Sequence, residues 1–189
     1  MSTEARVQEL LAAGDVRGAA VEAIRGLGPR ILGYLRAVLR DEADAADAFS
    51  QFAENLWKGL PSFRGESSFV GWAYKLAWNA AMNLRDQAWR RKGRRLATGE
   101  ASRIAEEVRT KSAIRVERQR QGLEKLREAL SAEEQTLLVL RIDQELSWED
   151  IAEVLSSEGR PVDAAAARKR FERLKERLAR MARDQGLVE

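Results

Sequence analysis

The side chains of this chain that could do chemistry are cations, aromatics and amides, and their spacing matters more than their number. Residues 85–95 hold six bases and one acid, and residues 163–183 hold eight bases and three acids. Between them, residues 123–155 carry nine acids and three bases, so the net charge of +3 conceals strong segregation. Each Lys or Arg brought near a phosphate releases condensed counterions, so two cationic stretches suggest two contacts with a polyanion; solvated helix faces are the plain alternative. At 100° per residue, Phe69, Trp72, Leu76, Ala80 and Leu84 fall on one side of a helix expected over 69–89, and Tyr74, Trp78, Met82, Arg85 and Trp89 on nearly the opposite side. One apolar face is enough to join a small bundle. A second face with large aromatics and an Arg suits stacking on unpaired bases, or else packs against the N-terminal helix.

Other chemistries are excluded by composition. The chain has no Cys and no His, so disulfides, thiolate or imidazole metal sites, thiol nucleophiles and Ser-His-Asp arrangements cannot form. The carboxylate pairs Glu133-Glu134 and Glu149-Asp150 fall at helix starts, where acids complement the helix dipole without being acid-base catalysts. We therefore expect no enzymatic activity, no metal and no cofactor. The first ten residues carry Glu4, Arg6 and Glu9, unlike a signal peptide, and apolar runs such as 137–140 are far too short to span a bilayer. The expectation is a cytoplasmic protein with no membrane contact.

The elements that must position these groups are helical. With 44% hydrophobic and 33% charged residues and only 16 Gly plus Pro, the 189-residue chain should fold in water as an all-α protein of one or two small domains. A short amphipathic helix over 3–13 breaks at Gly14-Asp15. A longer helical pattern over 16–39 is expected to kink or restart at Gly26, Gly28 and Pro29. Over 44–60 the apolar set Phe49, Phe52, Ala53, Leu56, Trp57 and Leu60 follows helical spacing, leaving Asp47, Gln51 and Glu54 on the polar face. Pro61 ends that helix, residues 62–68 read as a polar loop around Gly65, and Ser67 or Ser68 can cap the next helix.

Residues 92–121 lose periodicity and read as a linker. Beyond it, helix is expected over 123–130. Ser131-Ala-Glu-Glu134 is a capping box for a helix through Ile142, and Ser147-Trp-Glu-Asp150 reads as a second. Gly159 and Pro161 make a turn, and Asp163 caps a basic helix with a core stripe at Ala167, Phe171, Leu174 and Leu178. Two helices joined by a Gly-containing turn, the second one basic, form a helix-turn-helix.

Two blocks in this order resemble a known family. Residues 30–95 contain Asp44-Ala-Ala-Asp47 through Trp57, then Leu60-Pro-Ser-Phe63-Arg64-Gly65, then Phe69-x-x-Trp72-x-Tyr74-x-Leu76-Ala77-x-Asn79 and a basic end. This block resembles region two of the bacterial sigma-seventy family of RNA polymerase sigma factors, especially the extracytoplasmic-function (ECF) type. Residues 126–183 contain Leu140-Arg141, Leu146-Ser147-Trp148-Glu149-Asp150-Ile151-Ala152 and Arg170-x-x-Arg173, and resemble region four.

The resemblance implies two small helical domains: a region-two bundle over 28–95 and a region-four helix-turn-helix over 122–185. A linker over 96–121 joins them, and an N-terminal helical extension occupies 1–27. It implies a cytoplasmic, nucleoid-associated bacterial protein that binds core RNA polymerase through the clamp coiled coil of the largest subunit and the flap of the second-largest. It further implies promoter DNA and an anti-sigma factor as partners. On that footing Asp47, Gln51 and Glu54 would contact the clamp. Phe63, Arg64, Ser67, Tyr74, Trp78, Asn79 and Asn83 would handle the opened minus-ten element, and Arg168, Lys169 and Arg173 would enter the minus-thirty-five major groove. Two other classes remain: a helix-turn-helix regulator that acts without polymerase, and an all-helical interaction protein.

Overall fold

A computed structural model describes residues 2–65, 67–87, 129–157 and 159–184, with side chains up to Arg85 in the first stretch of helix that ends at Gln87. The chain divides into two compact units, Met1–Arg118 and Gln119–Glu189. Helices dominate both; the one β-type pairing among the described residues is an isolated bridge between Ser157 and Arg160. No helix among them is long and apolar enough to cross a membrane. The linker expected over 96–121, the helix expected over 123–130 up to residue 128, and Trp89 with the basic end of region two lie outside the described residues.

The first unit is built from α1 (Thr3–Ala12), α2 (Val16–Leu39), α3 (Glu42–Gly59) and α4 (Phe69–Gln87). Each of the first three starts on a side-chain cap that takes an orphan N–H: Ser2 from Ala5, Asp15 from Gly18, and Asp41 from Asp44. A turn of 3₁₀ helix, Leu60–Ser62, continues α3, because Pro61 is tolerated in a first turn where its missing N–H has no partner to lose.

The helix expected to kink or restart near Pro29 does not restart: α2 runs on with Pro29 inside it. Proline deprives the Arg25 carbonyl of its i+4 donor, and both Arg25 and Pro29 are exposed, so water can take that carbonyl. Ile24, Leu27, Ile31 and Leu32, on both sides of the proline in sequence, are buried in the same core. A domain boundary at 27/28 therefore falls inside a continuous helix, and α1 packs on α2 within the same unit.

The core of this unit collects Ile24, Leu27, Ile31, Tyr34 and Leu35 from α2, Phe49, Phe52 and Leu56 from α3, and Phe69 and Tyr74 from α4. The Tyr34 and Tyr74 rings meet edge to face at 5.3 Å.

The second unit holds α5 (Ala132–Leu138), α6 (Trp148–Leu155) and α7 (Ala164–Asp184). The Ser131 box closes both ways: the Glu134 N–H donates to Ser131 Oγ, and the Ser131 N–H donates to Glu134 Oε2. A five-residue π turn, Val139–Asp143, ends α5. Ser147 caps α6 by accepting from the Asp150 N–H at 3.1 Å. Gly159 at φ +79° turns the chain toward α7, which Asp163 caps by accepting from the Ala166 N–H.

Candidate nucleic-acid interface

In the first unit the groups of interest gather around the loop before α4. The Ser68 hydroxyl accepts from the Gly71 N–H at 3.0 Å and so starts the helix, as expected for one of the two serines there. Phe63 is half-buried, with its ring centroid 5.0 Å from Trp72 and 5.5 Å from Phe69. The Trp72 ring in turn lies over Gly59, where a Cβ would stand only 3.1 Å from it. This cluster anchors Phe63 to the start of α4. Arg64 is exposed and Ser67 half-buried.

The two stripes expected on α4 are not what the structure shows. Tyr74 is fully buried and Trp78 only 7% exposed, together with Phe69, Ala73, Ala77 and Ala81. Helices α2 and α3 both pack on α4, and the alanines between the large side chains let its buried arc cover more than half the circumference. Tyr74 and Trp78 are therefore core residues in this structure rather than stacking platforms. The outward arc consists of Trp72, Lys75, Leu76, Asn79, Met82 and Asn83, half-buried apart from the exposed Asn83. Asn79 and Asn83, grouped from sequence with Tyr74 and Trp78, thus stand on a different face from those two. Trp72, assigned from sequence to the apolar side, shares their face; the spacing 72, 75/76, 79, 83 was the signal that could have found it.

The polar face of α3 is also narrower than expected. Asp47 is exposed, Gln51 is half-buried with its amide donating to Asn55 at 2.9 Å, and Glu54 is only 7% exposed. Lys58, one turn on, reaches back to the Glu54 carboxylate at 2.5 Å. That carboxylate lies on the polar side of the wheel and is nonetheless sequestered, so Asp47 is the exposed member of the three.

In the second unit, the arrangement sorts cations by neighbour. Arg170 pairs with Glu133, while Arg177 donates to Glu134 at 2.6 Å and to the Ala129 carbonyl at 2.6 Å. Both bind α7 to the start of α5. Ala167, Phe171 and Leu174 form the buried stripe, with Leu178 half-buried below them. Phe171 meets the Trp148 ring edge-on at 5.5 Å, and Arg141 lies 4.8 Å over that same Trp148 while donating to the Leu146 carbonyl. Arg168, Lys169 and Arg173 are exposed, with no ion pair among the described residues. Glu172, on the same outward arc, is paired with Lys175 at 2.7 Å.

The Glu134 carboxyl is pushed up by burial, but the Ser131 N–H, Arg177 and the Ser131 hydroxyl outweigh that and hold its pKa below the ordinary carboxylate range. No group of acids among the described residues is placed to hold a metal ion.

These features meet a direct comparison. The family model for sigma-70 region 2 matches residues 23–95, which include the loop, α3 and α4. The chain is 30% identical over 151 residues to an RNA polymerase sigma factor, YlaC, of Bacillus subtilis, a match covering 75% of this chain and 82% of that one. The chain belongs to the sigma-70 family of RNA polymerase sigma factors.

It is also 30% identical over 137 residues to an RNA polymerase sigma-H factor of Pseudomonas aeruginosa, covering 67% of this chain and 69% of that one. Three quarters of 189 residues exceeds the 118 of the first unit, so the likeness to YlaC extends into the second unit. Sigma factors direct RNA polymerase to promoters, and membership of the family gives this chain core RNA polymerase and promoter DNA as partners.

Proposed function

We propose that this chain is an ECF-type sigma factor whose first unit grips core RNA polymerase and holds the opened minus-ten element, and whose second unit docks on the duplex minus-thirty-five element. The observation that carries the proposal is the division of cations on α7. Arg170 and Arg177 are engaged with Glu133 and Glu134, whereas Arg168, Lys169 and Arg173 stand exposed on a helix whose other side is packed. A helix braced in this way can enter a major groove without moving, and its first turn presents Ala164 and Ala165, small enough for their backbone N–H groups to approach a phosphate, the Ala166 N–H being already taken by Asp163.

In the first unit, the outward arc of α4 supplies Asn79 and Asn83 to read base edges and Trp72 to stack, with Phe63 and Arg64 at its start. Base-aromatic stacking is worth about 1–3 kcal/mol per base, enough to oppose reclosure of a melted segment. Asp47 leads the clamp contact, and Gln51 and Glu54 support the shape of that face. The flap of the second-largest subunit and an anti-sigma factor complete the proposed partners, in the bacterial cytoplasm at the nucleoid.

Footprinting tests this reading. Core polymerase with the chain should protect duplex upstream and leave reactive unpaired thymines near the start site, while the free chain binds duplex weakly. Equal duplex binding by the free chain, with no polymerase dependence, would favour a regulator that acts alone.

A further inference from the structure

The start of α4 is not capped by local residues alone. Its first N–H, that of Phe69, donates at 3.0 Å to the carboxylate Oε1 of Glu4, 65 residues earlier in the chain. Ser68 takes the Gly71 N–H, so two of the orphan donors at this helix end are satisfied by side chains, one of them from α1. Glu4 can reach because α1 is seated on α2: Val7 is fully buried, and Thr3 lies against Gly26 so closely that a Cβ there would stand 2.4 Å from Thr3 Cγ2 and 3.0 Å from Thr3 Cβ. Phe69 is the residue whose ring touches both Phe63 and Trp72. The carboxylate therefore fixes the backbone from which the loop and the outward arc of α4 both depart.

From this geometry we infer that Glu4 is a positioning residue for promoter opening: held on α1, it sets the start of α4 and with it the pose of Phe63, Arg64, Trp72 and Asn79 toward the unpaired strand. The inference rests on the reading of this face as the minus-ten surface. It gives the N-terminal helix, which lies outside the residues 23–95 matched to region two, a part in the work of that region. A negative acceptor at a helix N-terminus is favoured by the macrodipole as well as by the hydrogen bond, so both charge and reach matter.

The test uses the full chain with core polymerase on a promoter that the wild-type holoenzyme binds. That promoter is offered as closed duplex and as the same sequence with a mismatched minus-ten bubble. Thymine reactivity, core affinity and thermal midpoint are read for Glu4→Ala, Glu4→Asp, Glu4→Gln and Gly26→Ala. Glu4→Ala should lower opening of the duplex about tenfold, the loss expected for a charge-assisted hydrogen bond, with core affinity unchanged and the bubble template largely restored. Glu4→Asp, shorter by one methylene, should behave like the alanine variant, whereas Glu4→Gln keeps an acceptor at full reach without the charge and should recover part of the opening. Gly26→Ala, which displaces Thr3 and the start of α1, should reproduce the duplex defect with Glu4 intact.

If Glu4→Ala opens duplex as well as the wild type does, the inference is overturned while the minus-ten reading stands. A parallel fall in core affinity, thermal midpoint and both templates, with no recovery in Glu4→Gln, would also overturn it by making Glu4 an ordinary fold contact. Failure of the wild-type holoenzyme to melt any template would overturn the minus-ten reading itself.

Discussion

Arg177 holds Glu134 through a 2.6 Å hydrogen bond, and Glu134 is the same carboxylate that closes the capping box at the start of α5. One side chain thus fastens the basic helix α7 to the helix end opposite it, and a second hydrogen bond from Arg177 to the Ala129 carbonyl completes the brace. The orientation of Arg168, Lys169 and Arg173 depends on this junction.

The junction makes the second unit acid-sensitive. Glu134 has a pKa below its ordinary value, so the stability it contributes is present above the ordinary carboxylate range and is lost as pH falls through the lowered pKa. Urea unfolding followed by the Trp148 indole resonance should show the midpoint declining below the ordinary carboxylate range. Glu134→Gln should flatten that decline and lower the midpoint at neutral pH; an unchanged profile would remove Glu134 from the brace.

On α7, the exposed and the engaged cations should separate in binding assays. If Arg173 reads a guanine, Arg173→Ala costs holoenzyme affinity about 1–3 kcal/mol and relaxes preference at one base pair; a phosphate contact instead weakens all promoters alike and lowers the salt slope by about one. Arg177→Ala should lower the stability of the unit first and affect every promoter equally. Retention of affinity and preference in a triple Arg168→Ala, Lys169→Ala, Arg173→Ala variant would make α7 a structural brace only.

For α3, Asp47→Lys should weaken core binding and leave helicity and stability unchanged, because the side chain is exposed. Glu54→Lys behaves differently: it places a buried cation beside Lys58 and should destabilise the unit by about 1–3 kcal/mol before any contact is lost. Chemical denaturation and core titration of the two variants, run side by side, separate these outcomes. Equal effects from both would contradict the assignment of Asp47 as the leading contact.

Tyr74 and Trp72 divide core from surface on α4. Tyr74→Ala removes a fully buried ring and should cost about 3–5 kcal/mol in stability, depressing duplex and bubble templates together. Trp72→Ala should spare more of the stability and lower opening of duplex templates selectively. The reverse pattern would return the stacking role to Tyr74.

Much of this was legible in the sequence. Helical spacing located the elements, and Asp163, Ser131 and Gly159 marked starts and turns because caps and positive-φ glycines act locally. The exposure of Asp47, Arg168, Lys169 and Arg173 also followed from the wheel. What escaped was set by tertiary neighbours. The wheel of α4 shows two apolar arcs but not that two helices would cover Tyr74 and Trp78, and the wheel of α3 gives no warning that Lys58 would fold over Glu54. Pro29 was expected to kink or restart the helix because local rules count its lost hydrogen bond, whereas helix continues through it with buried side chains on either side. The bond from Phe69 to Glu4 spans 65 residues and has no local signature.

In vitro transcription from a genomic promoter library is the sharpest check that this chain directs RNA polymerase to promoters. Purified chain and core polymerase are incubated with the library, and the 5′ ends of transcripts are mapped. The account predicts a discrete set of start sites, absent with core alone, that share two upstream elements and disappear together when the outward residues of α4 or α7 are substituted. Transcripts that match those of core alone, with no shared upstream sequence, would contradict it.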